Sequence, residues 1–146
     1  MNISNQYTTN EPLKIYLHIN SYGGSIFAAL AAVDVILNSK IDIVTIVEGC
    51  CASAGTLLSV LGKERQIRKH SYMLIHQLKS SFWGKMEEIK DEFENLNHLM
   101  DTIKSIYKER CNLPKKGKYS LDNILKRDIW LDSKKCLEYG LVDEIM

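Results

Sequence analysis

The alternation of hydrophobic and polar positions divides the chain into strands and helices that follow one another in turn. The segment LKIYLHINS (residues 13–21) alternates apolar and polar residues and predicts a strand. Beyond Gly23 and Gly24, SIFAALAAVDVILNSK has helical spacing, with alanines on one face that indicate close packing on a sheet. The β-branched run IDIVTIVEG is typical of a buried parallel strand. Residues 52–61 then predict a second helix, and SYMLIHQ predicts a third strand.

This order of elements predicts a mixed α/β domain, with a mainly parallel sheet built from βαβ units. A single long helix is predicted from Gly84 to Cys111, because one apolar stripe runs along it: Ile89, Phe93, Leu96, Met100, Ile103 and Tyr107. At about 1.5 Å per residue this helix extends for roughly 40 Å. Because that exceeds what so small a domain requires, we expect the helix to protrude and meet another subunit. The ending LDSKKCLEYGLVDEIM predicts a short helix closed by Gly140 and a short terminal strand.

Length, charge and cysteine content limit the class of protein. The 146 residues predict one domain, in which the polar residues 1–11 form a loosely held start. The 19 basic and 18 acidic residues nearly cancel, so no field of one sign favours nucleic acid or an anionic membrane as a partner. Four cysteines without C-x-x-C spacing predict free thiols in a reducing compartment rather than a metal site. No secretory h-region or membrane-spanning run is seen, so we expect a cytoplasmic protein.

Candidate chemistry begins with Ser53 in the segment VEGCCASAGTLLS. It follows a buried strand and opens a helix, at the sheet edge where open α/β folds bind ligands. The first N–H groups of a helix are available there to stabilise an oxyanion. On this segment alone an N-cap serine is the favoured interpretation and a nucleophile is the alternative. The pair Gly23–Gly24 is equally open, since it fits a tight turn or a backbone that approaches a bound peptide.

His76 ends the third predicted strand at the same sheet edge, where a structural histidine and a general base are both plausible interpretations. A base histidine requires a carboxylate that holds its tautomer. Asp128 precedes three large apolar residues and is predicted to be drawn inward, whereas Asp132 is expected to be the N-cap of the last helix. Asp143 and the acids of the long helix are further candidates, and spacing alone does not choose among them.

Considered together, several segments occur in the order and at the spacings of the proteolytic subunit of the Clp protease (ClpP): YLHINSYGGS, EGCCASAG, SYMLIHQ, KRDIWL and CLEYGLVDEI. The resemblance covers residues 12–146. It implies a ClpP/crotonase-type fold with a long protruding handle helix, and a self-compartmentalising serine endopeptidase that cleaves unfolded polypeptides or peptides. By position, Ser53 matches the family's nucleophile, His76 its general base and Asp128 its orienting acid.

The same resemblance implies how substrate and other subunits are held. Gly24 and Ala54 match the positions whose backbone N–H groups form the oxyanion hole. Residues 79–84 match a strand to which the peptide adds, and substrate contacts are implied for Gly23, Lys79, Ser80 and Ser81. The long helix matches the handle that joins two seven-membered rings, so stacked or mixed rings are implied. No metal or organic cofactor is required, and ATP enters only through a partner AAA+ unfoldase.

The chain departs from the family pattern at several positions beside the cleft. Tyr22 replaces a proline, Cys50 and Cys51 replace a Gln-Ala type pair, Leu78 replaces a proline, and residues 79–81 replace a glycine-rich stretch. Family members also carry several dozen residues before this point, so ring assembly and unfoldase docking stay open. Two alternatives remain: a catalytically silent or regulatory ring subunit, and a crotonase-type acyl-CoA enzyme, in which the serine and histidine have no joint role.

Overall fold

A computed structural model describes residues 12–146 and shows a mixed α/β domain, which confirms the predicted class. The predicted loose start at residues 1–11 lies outside the described residues. The strands are β1 (Lys14–Ser21), β2 (Asp42–Ala52), β3 (Glu64–Ile67), β4 (Tyr72–Leu74), β5 (Trp130–Asp132) and β6 (Glu144–Ile145). The helices are α1 (Ile26–Leu37), α2 (Ala54–Ser59), α3 (Met86–Arg110), α4 (Leu121–Leu125) and α5 (Ser133–Glu138).

Strand β2 is the centre of the sheet. It pairs in parallel with β1 along one edge, while β3 and β4 share its other edge, β3 at residues 44–47 and β4 at residues 50–52. Strand β6 adds in parallel to β3, and β5 runs antiparallel to β4. Because β1, β3 and β4 all run parallel to β2, their carboxyl ends point to the same edge of the sheet, where β2 leads into α2.

Three short elements were not predicted, namely β3, α4 and β5. Strand β3 reads ERQI and contains a single apolar residue, so it has no hydrophobic period that would reveal it. SYMLIHQ consequently forms the fourth strand rather than the third, and the strand is limited to Tyr72–Leu74. Strand β2 extends through both adjacent cysteines to Ala52, which shortens the helix predicted for residues 52–61 to Ala54–Ser59.

Helix α3 has 25 residues, and its apolar stripe changes character along its length. Ile103 and Tyr107, in the last two turns, are buried in the core. Ile89 and Phe93, in the first half, are 49% and 67% exposed. The first half of the stripe is therefore left without a partner in the described residues, while the second half anchors the helix to the domain. Whether the helix acts as a protruding handle remains a prediction.

Arg65 on β3 links the carboxyl end of α3 to the segment from Gly140 to Asp143. Its guanidinium pairs with the Asp143 carboxylate and donates to the carbonyl oxygens of Arg110, at 2.6 Å, and Gly140, at 2.8 Å. The Arg65 guanidinium lowers the pKa of the Asp143 carboxyl below its ordinary value. Asp132 accepts a hydrogen bond from the Lys135 amide at 2.8 Å, which confirms it as the N-cap of the last helix. Within residues 12–146 no helix has the length and apolarity that crossing a bilayer requires.

Candidate active site

Ser53 lies at the N-cap position of α2, as its own segment predicted, but its side chain does not cap the helix. Its φ and ψ are 54° and −130°, and its side chain makes no capping hydrogen bond to α2. Among residues 12–146 it is the only non-glycine residue with positive φ. Such a conformation costs on the order of 1–3 kcal/mol and persists only where the surrounding structure enforces it. The chain therefore holds this one serine under strain at the end of β2.

Hydrogen bonds on both sides of Ser53 impose this conformation. The Ser53 amide donates to the Leu74 carbonyl of β4 at 2.9 Å, and its own carbonyl accepts from the Thr56 amide at 2.9 Å. The Thr56 hydroxyl also donates to the Ser53 carbonyl at 2.6 Å. This hydroxyl lies 2.5 Å from the buried Tyr107 hydroxyl of α3. Because the single Thr56 hydroxyl hydrogen points to the Ser53 carbonyl, the Tyr107 hydroxyl is the donor to Thr56 Oγ1. Burial raises the pKa of Tyr107, so its hydroxyl stays protonated.

Sequence reasoning missed Thr56 and Tyr107 as parts of this support. A threonine three residues after a candidate nucleophile is a recognisable local signal, because its hydroxyl reaches back to the earlier carbonyl. Tyr107 is the last member of the apolar stripe and was predicted only as part of that stripe. Its contact with Thr56 spans 51 residues, and no local pattern announces it.

Gly23 approaches Ser53 so closely that only glycine fits there. A Cβ on Gly23 would lie 2.7 Å from the Ser53 Cβ and 2.8 Å from the Ala52 carbonyl oxygen. Its φ of 95° also belongs to the region that favours glycine. Gly23 is therefore required where the segment before α1 packs on the strained serine, and an approach of this backbone to a bound peptide stays a prediction.

A cleft of about 400 Å³ brings most of the predicted site residues together. Its polar side is formed by Ser53, His76 and Lys79, with the backbone of Gly24 and Ala54. Its apolar wall is formed by Ile26, Leu57, Leu78 and Ile103. The cleft therefore combines a serine and a histidine with an apolar wall.

The remaining predicted substrate contacts lie beside this cleft. The Ser80 hydroxyl donates to Glu92 on α3 at 3.2 Å and lines an adjoining groove of about 490 Å³, which Lys79 also lines. Ser81 is exposed and lines neither cleft. Residues 79–84 are not a strand, in contrast to what the resemblance implies, because they have no ladder with another strand in the described part of the chain. Their backbone is therefore open for pairing.

His76 and Asp128 both lie beyond the end of one strand pair but are not joined by a hydrogen bond. The antiparallel β4–β5 ladder ends at the pair Leu74–Trp130, and His76 and Asp128 each lie two residues beyond this end in the chain. Nevertheless, the buried His76 Nδ1 has no hydrogen-bond partner among residues 12–146. The Asp128 carboxylate instead pairs with the Lys79 ammonium at 3.2 Å, and its side chain is 59% exposed. The expectation that Asp128 is drawn inward is therefore wrong.

The four cysteines are free, as predicted. The Cys51 sulfur lies close to the first turn of α2, since a Cβ on Gly55 would be 3.5 Å from it. Burial raises the pKa of Cys51 to about 12, so its thiol stays protonated at neutral pH. Residues 12–146 contain no group of three or more His, Cys, Asp or Glu side chains arranged to hold a metal ion.

Comparison with known sequences identifies the family. A sequence model described as Clp protease matches residues 6–146, which is nearly the whole chain. The chain belongs to the Clp protease family. The match begins six residues before the stretch on which the resemblance was predicted, and it favours the peptidase over the crotonase-type alternative.

Three relatives, each named "ATP-dependent Clp protease proteolytic subunit", show how much of a Clp protease sequence the chain represents. The protein of Streptococcus mutans serotype c is 37% identical over 134 residues, which are 90% of this chain and 68% of the relative. The protein of Lactococcus lactis subsp. cremoris is 34% identical, with 90% and 67% covered. The protein of Deinococcus radiodurans is 29% identical over 139 residues, with 94% and 67% covered. The predicted family is confirmed, while the roles of single residues remain predictions.

Proposed function

We propose that this chain is the catalytic subunit of an oligomeric serine endopeptidase that cleaves unfolded polypeptides or peptides. The observation that carries the proposal is the strained backbone of Ser53, in a cleft that it shares with His76. His76 accepts the proton as Ser53 Oγ attacks the peptide carbonyl, and Asp128 orients the imidazole. The backbone N–H groups of Gly24 and Ala54 hold the oxyanion.

The tetrahedral adduct collapses as His76 gives its proton to the leaving amine, which breaks the C–N bond and leaves an acyl ester on Ser53 Oγ. His76 then takes a proton from a water molecule that attacks the ester carbonyl, and returns it to Ser53 Oγ as the ester bond breaks and the acid product leaves. The open backbone of residues 79–84 pairs with the substrate chain as an added strand, with Gly23, Lys79, Ser80 and Ser81 beside it. The apolar wall of the cleft receives an uncharged substrate side chain. The reaction requires no metal and no organic cofactor.

The exposed half of the α3 stripe supports assembly with other subunits. Apolar side chains left in solvent along one helix face are typical of an interaction surface. We propose that α3 is the handle of a ClpP/crotonase-type fold and joins stacked heptameric rings, or mixed rings. We also propose a cytoplasmic location and an AAA+ unfoldase as the partner that uses ATP; the word "ATP-dependent" in the relatives' name supports the use of ATP.

A second candidate is a catalytically silent ring subunit. It is favoured by the missing link between His76 and Asp128, since His76 Nδ1 has no partner and Asp128 is paired with Lys79. In that case the chain contributes to ring assembly and modulates the activity of other subunits.

Hydrolysis of a fluorogenic peptide and of an unfolded protein distinguishes the two candidates. We expect activity that elutes with a large particle on a sizing column and is lost in Ser53→Ala. We expect Asp128→Asn to reduce kcat by up to about 10⁴-fold, because the imidazole loses its orienting carboxylate. A large particle without activity would support the silent subunit. Equal activity of wild type and Ser53→Ala would contradict both the mechanism and the assignment of Ser53.

A further inference from the structure

The contact between Lys79 and Asp128 occupies the carboxylate that the proposed mechanism requires elsewhere. The Lys79 ammonium lies 3.2 Å from Asp128 Oδ2 and lines the same cleft as Ser53 and His76. His76 and Asp128 each lie two residues beyond the last pair of the β4–β5 ladder, Leu74–Trp130, and the buried Nδ1 of His76 has no partner in the described residues. One carboxylate bound to Lys79 and one unpartnered imidazole nitrogen thus lie beyond the end of the same strand pair.

We propose that Lys79 is a positioning residue that competes with His76 for Asp128 and thereby controls how much of the Ser53–His76–Asp128 arrangement is formed. This inference rests on the proposed function. Lys79 acts through Asp128 and does not touch the reacting atoms. When Lys79 holds the carboxylate, the imidazole has no group that fixes its tautomer, and Ser53 has a weaker base.

The exposure of the two partners sets the strength of this competition. The Lys79 and Asp128 side chains are 69% and 59% exposed, so water and salt screen their attraction. The buried Nδ1 of His76 lacks a hydrogen-bond partner, which is unfavourable. A hydrogen bond from His76 to Asp128 would remove this cost and therefore competes with the Lys79–Asp128 ion pair. A small change at Lys79 is therefore sufficient to transfer the carboxylate from one group to the other.

Removal of the Lys79 charge tests the proposal on the full chain. The rate at which a fluorophosphonate labels Ser53 is measured in wild type, Lys79→Met and Lys79→Arg. The probe is small and carries no peptide side chains, so a change in peptide binding at Lys79 does not affect it. We expect Lys79→Met to label about two- to fivefold faster, which is the range that an exposed ion pair supports. Lys79→Arg, which keeps the charge, is expected to label at the wild-type rate or more slowly.

Salt provides a second readout that a purely structural role would not change. Raising the ionic strength to about 1 M shortens the screening length to about 3 Å. Labelling of wild type is expected to approach that of Lys79→Met, whose own rate stays constant. Lys134→Met removes a charge from exposed Lys134 on α5 and serves as the matched control, with unchanged labelling.

A crystal structure of Lys79→Met tests the contact without relying on activity. We expect a carboxylate oxygen of Asp128 within about 3 Å of His76 Nδ1. If Ser53 is labelled in every protein but Lys79→Met matches Lys134→Met, the competition does not exist. If no protein is labelled, the proposed function fails, and the crystal structure alone decides: an Asp128 that stays away from His76 in Lys79→Met overturns the inference.

Discussion

The close approach of Gly23 to Ser53 predicts a steric cost that is measurable separately from backbone strain. Gly23 and Gly117 have nearly the same φ, 95° and 91°. A Cβ on Gly23 would lie 2.7 Å from the Ser53 Cβ, whereas a Cβ on Gly117 would have no atom within 4 Å. Both Gly→Ala variants therefore carry the cost of an alanine at positive φ, and only Gly23→Ala adds a steric clash.

The expected magnitudes follow from these two terms. A non-glycine residue in the left-handed region costs about 1–2 kcal/mol, which is the whole expectation for Gly117→Ala. Forcing an added carbon into a packed site costs about 1–3 kcal/mol more. Gly23→Ala is thus expected to lower the free energy of unfolding by about 2–5 kcal/mol. It is also expected to slow the labelling of Ser53, because the serine turn must shift to relieve the clash.

Urea unfolding of both variants at one protein concentration measures this difference. With a slope of about 2 kcal/mol per M, the midpoint of Gly23→Ala should lie about 0.5–1.5 M below that of Gly117→Ala. Equal midpoints, together with normal Ser53 labelling in Gly23→Ala, would refute the close packing of Gly23 on Ser53.

Three further predictions concern the support of the site and the thiols. Tyr107→Phe removes a buried hydroxyl and is expected to lower the free energy of unfolding by about 1–2 kcal/mol; an unchanged urea midpoint would contradict its hydrogen bond. Asp143→Asn should destabilise by about 1 kcal/mol at pH 7, after solvent screening. Because Arg65 lowers the pKa of Asp143, its stabilisation is present above the ordinary value of 3.8 and is lost as the pH falls through the lower, folded-state value. The midpoints of wild type and Asp143→Asn should therefore converge below that ordinary value, and a constant gap would contradict this linkage. Cys51 and Cys136 are fully buried, with pKa values raised to about 12, and should resist iodoacetamide until the chain unfolds; native-state modification detected by mass spectrometry would exclude this burial.

The elements with a strong hydrophobic period were predictable from sequence, and the short polar ones were not. Strands β1 and β2 and helices α1 and α3 each carry enough apolar positions to reveal their period. Strand β3 carries one, because its place in the sheet is secured by Arg65 and Gln66, which bond to Asp143 and Glu144 some 78 residues later. These hydrogen bonds form only between segments far apart in the chain, so a local sequence pattern does not reveal them.

The candidate site likewise has features that the sequence predicted and features that it did not. The position of Ser53 after a buried strand predicted its place at the sheet edge, but the strain at that residue comes from Leu74, Thr56 and Gly23. Spacing also offered several acids for His76 without a choice among them. Asp128 was chosen by the family resemblance alone, and its contact with Lys79 is a side-chain arrangement that only the folded chain shows.

Mass-spectrometric mapping of a fluorophosphonate adduct on the purified chain tests the central claim most directly. The account predicts a single adduct on Ser53, absent from Ser53→Ala and from the unfolded wild-type chain, because reactivity depends on the folded cleft. An adduct at another residue, or none on Ser53 in an assembled particle, would contradict the assignment of this serine as the nucleophile.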